Sequence, residues 1–308
     1  MNIWVLISSL ILSLGLTASP VHHLPTMILT EDEGVNQIVL EDKVLTGNYQ
    51  SVPHKIDNKS LGVKVTAESA VVLDLSTGAV LWQKNAEQSR SMASITKLMT
   101  ALVFLEHNPG WQTTVTFQEI DETNGGTAHI LRGETVSVKN LFYTALIASD
   151  NNSTNALVRS TGLSHEEFIK LMNQKAQELE LLHTSFTGVT GLNDNNQSTA
   201  LEIAQLAKIA FANEDIKSAT SRKTYSFIAL SGQAHKIYST NRSLDDYLKV
   251  VAGKTGFITA SGYCLVDEIR GNEEQEIIVV ILGSETHEDR FQDMKILAAW
   301  VLDNFVWS

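Results

Sequence analysis

β-Branched runs stand near both ends of this sequence, and a long helical block separates them. Residues 70–75 and 79–83 read as two strands joined by Ser76-Thr77-Gly78, a hairpin signal. Residues 250–258, 262–269 and 277–282 read as three more, with Gly271-Asn272 at the turn between the last two. Between the two sets, helical periodicity covers 138–148, 152–160, 165–179 and 199–211. A final helix is expected over 289–305, where Phe291, Met294, Leu297, Ala298, Val301 and Leu302 recur at helical spacing. The simplest solution joins both sets of strands in one antiparallel sheet covered by helices, with the middle block as a second, mainly helical lobe. The fold class is α/β in the α+β sense, and a site belongs in the cleft between sheet and lobe.

One helix stands apart. From Ser94 to His107 the apolar residues Ile95, Leu98, Met99, Leu102, Val103 and Leu105 cover most of the circumference, the mark of a buried helix, and Asn108-Pro109-Gly110 ends it. Ser94 and Lys97 are three apart and share a face. A serine hydroxyl is a weak nucleophile that needs a base. An amine serves only when it is neutral part of the time, and desolvation in so apolar a helix pushes Lys97 that way. At the helix start, Ser94 also lies near free backbone N–H groups that suit a developing oxyanion. An N-capping serine beside a lysine that snorkels to solvent is the plain structural alternative.

Two further short motifs follow. Ser149-Asp150-Asn151 falls at a junction between expected helices, where Ser, Asp and Asn are favoured caps, yet it also offers a proton-relaying hydroxyl and a carbonyl-holding amide. Lys254-Thr255-Gly256 lies inside a β-run. A cation and a hydroxyl beside a glycine that admits a ligand backbone suit a carboxylate; an exposed edge-strand lysine is the alternative.

Composition narrows the partners. The formal charge of −12 argues against nucleic acid and against anionic lipid headgroups. The apolar content of 43% and charged content of 19% are those of a globular protein. A single cysteine, Cys264, excludes an intramolecular disulfide and reads as a small buried hydrophobe. The 9 histidines show no metal-ligand spacing, so neither metal nor cofactor is expected. Residues 1–19 carry no charged side chain and are apolar from Ile3 to Leu16, which suits a signal peptide or an uncleaved N-terminal membrane anchor. The chain is therefore expected outside the cytoplasm, with residues 20–65 as a linker or arm and 66–308 as the main domain.

Together the three motifs resemble the penicillin-recognising serine enzymes, whose signature is Ser-x-x-Lys, Ser-x-Asn and Lys-Thr-Gly. The resemblance is nearest to the D-alanyl-D-alanine carboxypeptidase family, peptidase family S11. It extends from about Ser69 to Trp300 and includes Ser69-Ala70, Asp74, Gly191-Leu192, Ser198-Thr199-Ala200, Phe257, Leu282-Gly283 and Arg290-Phe291. It implies a β-lactamase/transpeptidase-like fold and a serine DD-peptidase acting on peptidoglycan stem peptides that end in D-Ala-D-Ala, inhibited by β-lactam antibiotics. By that resemblance Ser94 is the nucleophile, Lys97 its base and Ser149 the proton relay. Asn151 holds the substrate amide, Lys254 and Thr255 receive the terminal carboxylate, and Arg290 adds charge nearby. The N–H groups of Ser94 and Phe257 form the oxyanion hole.

Two departures bear on the reaction. Asp150 stands in the middle of the second motif, as in class A β-lactamases. Those enzymes carry a Glu-x-x-Leu-Asn segment, and here Val189-Thr190-Gly191-Leu192-Asn193 puts a valine, which cannot act as a base, in place of the acid. A β-lactamase is thus the alternative enzyme, and a catalytically silent β-lactam- or wall-binding protein the alternative from another class. The stretch after Lys254 suffices for two strands and a helix, not for the extra β-rich domain of longer carboxypeptidases, so a DD-endopeptidase action is also expected.

Overall fold

The computed structural model describes residues 51–307 and, ahead of them, the backbone of Ile28–Asp32, Val35–Leu40 and Lys43–Thr46, strands paired antiparallel in that order. The expected signal peptide or anchor at 1–19 lies outside the described residues. The second compact unit begins at Ser51. His54–Lys55 pairs antiparallel with Phe305–Val306, and Val65 is buried, so this unit takes in 51–65, which the sequence assigns to the arm.

Both sets of strands do meet. The sheet consists of β1 (Ser69–Asp74), β2 (Val80–Lys84), β3 (Lys249–Ile258), β4 (Gly262–Arg270) and β5 (Glu276–Ser284). Its order is β3-β4-β5-β1-β2, with every neighbouring pair antiparallel. Side chains alternate between faces along a strand. Ile277, Val279 and Ile281 of β5 pack with Phe291, Met294, Leu297 and Val301 of the C-terminal helix, while Ile278, Val280 and Leu282 face the other core. With both faces covered, these strands are continuous apolar runs instead of alternating ones. Burial of each such side chain contributes about 1.5–3 kcal/mol.

The helices are α1 (Thr96–Glu106), α2 (Val138–Ile147), α3 (Asn151–Ser160), α4 (His165–Glu178), α5 (Ala200–Ala212), α6 (Glu214–Thr220) and α7 (Asp289–Asn304). Helix α1 is central, with Lys97, Leu98, Met99 and Phe104 fully buried. A 3-10 turn, Ala93–Ile95, precedes it, so Ser94 stands just ahead of the α-helix and not in its first turn. Side-chain caps start the lobe helices: Ser137 accepts from Asn140 N at α2, Asp150 from Ser153 N at α3, and a Ser164/Glu167 capping box opens α4. The sequence reading missed α6 and the antiparallel pair Thr224–Ile228 with Ala234–Tyr238.

Candidate active site

Ser94 is held by backbone crowding on two sides. Ala93 takes a positive φ of 47°, a conformation that strains a residue with a Cβ. Gly191 also has a positive φ, and a Cβ there would collide with the Ala93 carbonyl. From β3, a Cβ on Gly256 would stand 3.0 Å from Met92 O and 3.1 Å from Ser94 N. Only glycine fits at either place without displacing the turn, so both fix the Ser94 backbone against its neighbours.

Lys97, 1% exposed, points back along α1 into this turn. Its Nζ lies 2.9 Å from Ser94 Oγ, 2.7 Å from Asn151 Oδ1 and 2.7 Å from the Thr190 carbonyl. Burial lowers its pKa from 10.5 to about 7, and the Asp150 charge acts in the opposite direction. An amine so placed is a competent base for the hydroxyl beside it.

A second network adjoins the first. Ser149 takes a positive φ of 59° in the middle of the short loop between α2 and α3. Lys254, also 1% exposed, donates to Ser149 Oγ at 2.7 Å and to the Thr255 carbonyl at 2.8 Å. Burial, then the charges of Lys97 and Arg290, hold its pKa well below the ordinary lysine range. Strand β3 is an edge, as the alternative reading supposed, but the helical lobe covers this stretch of it. Thr255 Oγ1 lies 2.6 Å from Thr240 Oγ1.

Asn151 uses both ends of its amide: Oδ1 on Lys97 and Nδ2 to the Gly125 carbonyl at 3.0 Å. Phe257 is half exposed and stacks on Tyr263 with ring centroids 4.2 Å apart. Arg290 is 4% exposed, and its Nη1 donates to the Gly256 carbonyl at 3.1 Å. Its charge therefore sits against the backbone of β3. Val189 is buried, and its carbonyl accepts from Thr100 Oγ1 at 2.7 Å, so no carboxylate occupies that position.

The structure thus gathers Ser94, Lys97 and Asn151 into one network and Ser149, Lys254 and Thr255 into another, with Phe257 on β3 and Arg290 reaching the Gly256 carbonyl of that strand from α7. Sequence reasoning missed Thr190, Gly125, Thr240 and His129. The first two act through carbonyls, which leave no mark in a sequence. His129 donates its backbone N–H to Asp150 Oδ2 at 2.9 Å and places Nδ1 2.8 Å from the same oxygen, which ties the loop before Ile130 to the second motif.

Comparison with known proteins finds a family model and relatives that match most of the chain. Residues 54–286 match the family model for D-alanyl-D-alanine carboxypeptidase. The chain is 35% identical over 203 residues to the D-alanyl-D-alanine endopeptidase of Haemophilus influenzae, covering 65% of this chain and 69% of that protein. It is 34% identical over 239 residues to the D-alanyl-D-alanine carboxypeptidase DacF of Bacillus subtilis, covering 75% of this chain and 61% of DacF. The crystal structure of the Streptomyces K15 DD-transpeptidase superposes with a TM-score of 0.75 at 26% identity, covering 79% of this chain and 100% of the other.

Proposed function

The chain belongs to the D-alanyl-D-alanine carboxypeptidase family, and on that premise we propose that it is a serine DD-peptidase. Its substrates are peptidoglycan stem peptides ending in D-Ala-D-Ala, cleaved through an acyl-enzyme on Ser94. One observation carries the reading: a fully buried Lys97 amine, brought to a pKa of about 7, stands 2.9 Å from Ser94 Oγ.

Neutral Lys97 takes the Ser94 proton as Oγ attacks the carbonyl of the penultimate D-Ala. The oxyanion settles between the N–H groups of Ser94 and Phe257. Gly256 C=O and Phe257 N–H belong to one peptide group, so the Arg290 bond to that carbonyl orients the N–H and polarises it. This is a different job from the carboxylate charge that the resemblance suggests for Arg290. Ser149 relays the proton taken by Lys97 to the departing amine of D-Ala, which leaves Lys97 neutral again, and Lys254 and Thr255 hold the carboxylate of that D-Ala. Water then enters and gives a proton to Lys97 as it attacks the ester; the bond to Ser94 Oγ breaks, and Lys97 returns that proton to Oγ as the acyl group leaves. Peptidoglycan lies outside the cytoplasm, so the apolar N-terminal stretch serves export, with or without cleavage.

Relatives of both kinds, carboxypeptidase and endopeptidase, resemble this chain. Digestion of purified muropeptides, with products identified by mass, separates loss of a terminal D-Ala from opening of a cross-link. Neither product should form with Ser94→Ala. Intact substrates alongside labelling by penicillin would replace the enzyme with a binding protein. Benzylpenicillin should form a long-lived adduct on the Ser94 peptide. The opened ring blocks water, and buried Val189 supplies no base for it. Rapid multiple turnover of penicillin would make the protein a β-lactamase.

A further inference from the structure

Behind β3, on the side facing away from Lys254, lies a closed polar cluster that the mechanism above does not use. Asp267 of β4 pairs across the sheet with Gly253 and is 0% exposed. A Cβ on Gly253 would collide with Asp267 Oδ1 and Asn241 Nδ2, so this carboxyl and amide fill the space a side chain would take. Asn241 and Ser243, also buried, complete the cluster.

A count of protons decides its state. Ser243 N–H donates to Asn241 Oδ1 at 3.1 Å, which fixes Oδ1 as the acceptor end of that amide. Asn241 Nδ2 then donates to Asp267 Oδ1 at 2.7 Å. Ser243 Oγ touches both Asn241 Oδ1 and, at 2.5 Å, Asp267 Oδ2. A hydroxyl has one proton and cannot donate to both. If Asp267 were ionised, one of these oxygen pairs would face lone pair to lone pair. A proton on Asp267 Oδ2 satisfies every contact: the acid donates to Ser243 Oγ, and Ser243 donates to Asn241.

The cluster is linked to the substrate site. Thr240, next to Asn241, donates its N–H to the Ile147 carbonyl at 3.1 Å and meets Thr255 Oγ1 through its hydroxyl at 2.6 Å. We infer that Asp267 is carried as a neutral carboxylic acid, and that its relay through Ser243 to Asn241 positions Thr240 and Thr255 for the terminal carboxylate of the substrate. Asp267 is a positioning residue, and the kinetic part of the inference rests on the DD-peptidase reading.

The surroundings agree. Burial raises the Asp267 pKa from 3.8 to about 7. The bonds from Ser243 and Asn241 oppose that rise, as does Arg290 of α7, which is the charge that favours the anion. The other neighbouring charges are engaged elsewhere. Glu268, next on β4, pairs with Lys217 of α6; Arg242 pairs with Glu288; Lys254 donates to Ser149 on the opposite face. From β5 the residue opposite is Val279.

The test compares Asp267→Asn, whose amide can donate to Ser243 and accept from Asn241, with Asp267→Ala, which can do neither. Carbon-13 NMR of aspartate-labelled protein should show the resonance lost in Asp267→Asn at the protonated position in mildly acidic buffer. An ionised signal there overturns the proposal whatever the enzyme does. Between pH 3.8 and about 7 the unfolded chain has released a proton that the folded protein keeps, so wild-type stability falls as pH rises through this window. The Tm of Asp267→Asn should therefore gain on the wild type across it. On a D-Ala-D-Ala peptide, Asp267→Ala should raise KM roughly tenfold with kcat less affected, whereas Asp267→Asn restores KM and removes the part of the alkaline fall of kcat/KM that ionisation of Asp267 causes. An unchanged KM in Asp267→Ala refutes the positioning role. If that variant does not fold, Ser243→Ala breaks the same relay and is read the same way.

Discussion

Lys97 and Lys254 come within electrostatic reach of each other from two regions of the molecule, the buried helix α1 and the edge strand β3. Each is 1% exposed, and burial lowers the pKa of each. Their neighbours differ. Lys97 has three oxygen acceptors and the Asp150 charge in its favour, and it comes to rest near neutrality. Lys254 has two acceptors, and the charges that act on it are the cations Lys97 and Arg290. The first is poised to gain and lose a proton. The second is a buried amine with no anion beside it among the described residues, and a substrate carboxylate supplies what it lacks. Burial alone assigns neither role; the sign of the nearest charge does.

If that contrast holds, the largest loss comes on the helix side. Ser94→Ala and Lys97→Ala should each reduce acylation by roughly a thousandfold or more, and the double variant should be little worse than either, because nucleophile and base act as one unit. Stopped-flow acylation with a chromogenic penicillin measures this. Retention of about a tenth of the wild-type rate in Lys97→Ala, a barrier change of about 1.4 kcal/mol, would remove Lys97 from the role of base. On the strand side the loss should be smaller and selective. Lys254→Ala and Thr255→Val should lower kcat/KM about ten- to a hundredfold for peptides with a free terminal carboxylate, and less for amidated ones, since a charge-assisted bond contributes roughly 1.5–3 kcal/mol. Equal losses on both substrates would break the contrast.

The two regions were not equally legible in the sequence. Ser94, Lys97, Ser149, Asn151, Lys254 and Thr255 lie in short contiguous motifs whose side chains carry the chemistry, so their types could be read directly. The frame that holds them could not. Thr190 and Gly125 contribute carbonyls, which any residue possesses. Gly191 matters because it has no Cβ against Ala93, a contact between residues far apart in the chain. In the sequence Asp267 is one of two adjacent acids within a β-run, and only its pairing with Gly253 shows why it is buried. The sheet was recoverable because strands buried on both faces are continuous apolar runs. The pair Thr224–Ile228 and Ala234–Tyr238 is half exposed, and α6 has only 7 residues, so neither gave a comparable signal.

The pH profile sharpens the contrast further. Only neutral Lys97 can take the Ser94 proton, so kcat/KM should rise with pH through about 7 on its acid side. An acid limb near the ordinary lysine value would mean that the amine is not desolvated during turnover. Measurement in the Asp267→Asn background takes the ionisation of Asp267 out of the profile, and the alkaline fall that is left there belongs to Lys254 losing its proton.

The smallest effect should come from Asp150, and it tests the sign rule directly. Its Oδ1 accepts from Ser153 N at 2.6 Å and caps α3, so Asp150→Asn can keep the cap while removing the charge. That charge favours the ammonium form of Lys97. Without it the ammonium is less stable, the Lys97 pKa falls, and the acid limb of kcat/KM moves to lower pH by a fraction of a unit. The plateau rate should fall slightly at the same time, since a weaker base gains less from the proton it takes. The bond from His129 N to Asp150 Oδ2 is the contact most exposed to the change, because an amide nitrogen at that position cannot accept it. Asp150→Glu, which restores charge but not the length of the cap, separates the two effects. If the limb returns toward its wild-type position in Asp150→Glu, charge is responsible. If it moves with helix stability in both variants, Lys97 is governed by its three oxygen acceptors alone, and the difference between the two lysines lies in hydrogen bonding instead of in neighbouring charge.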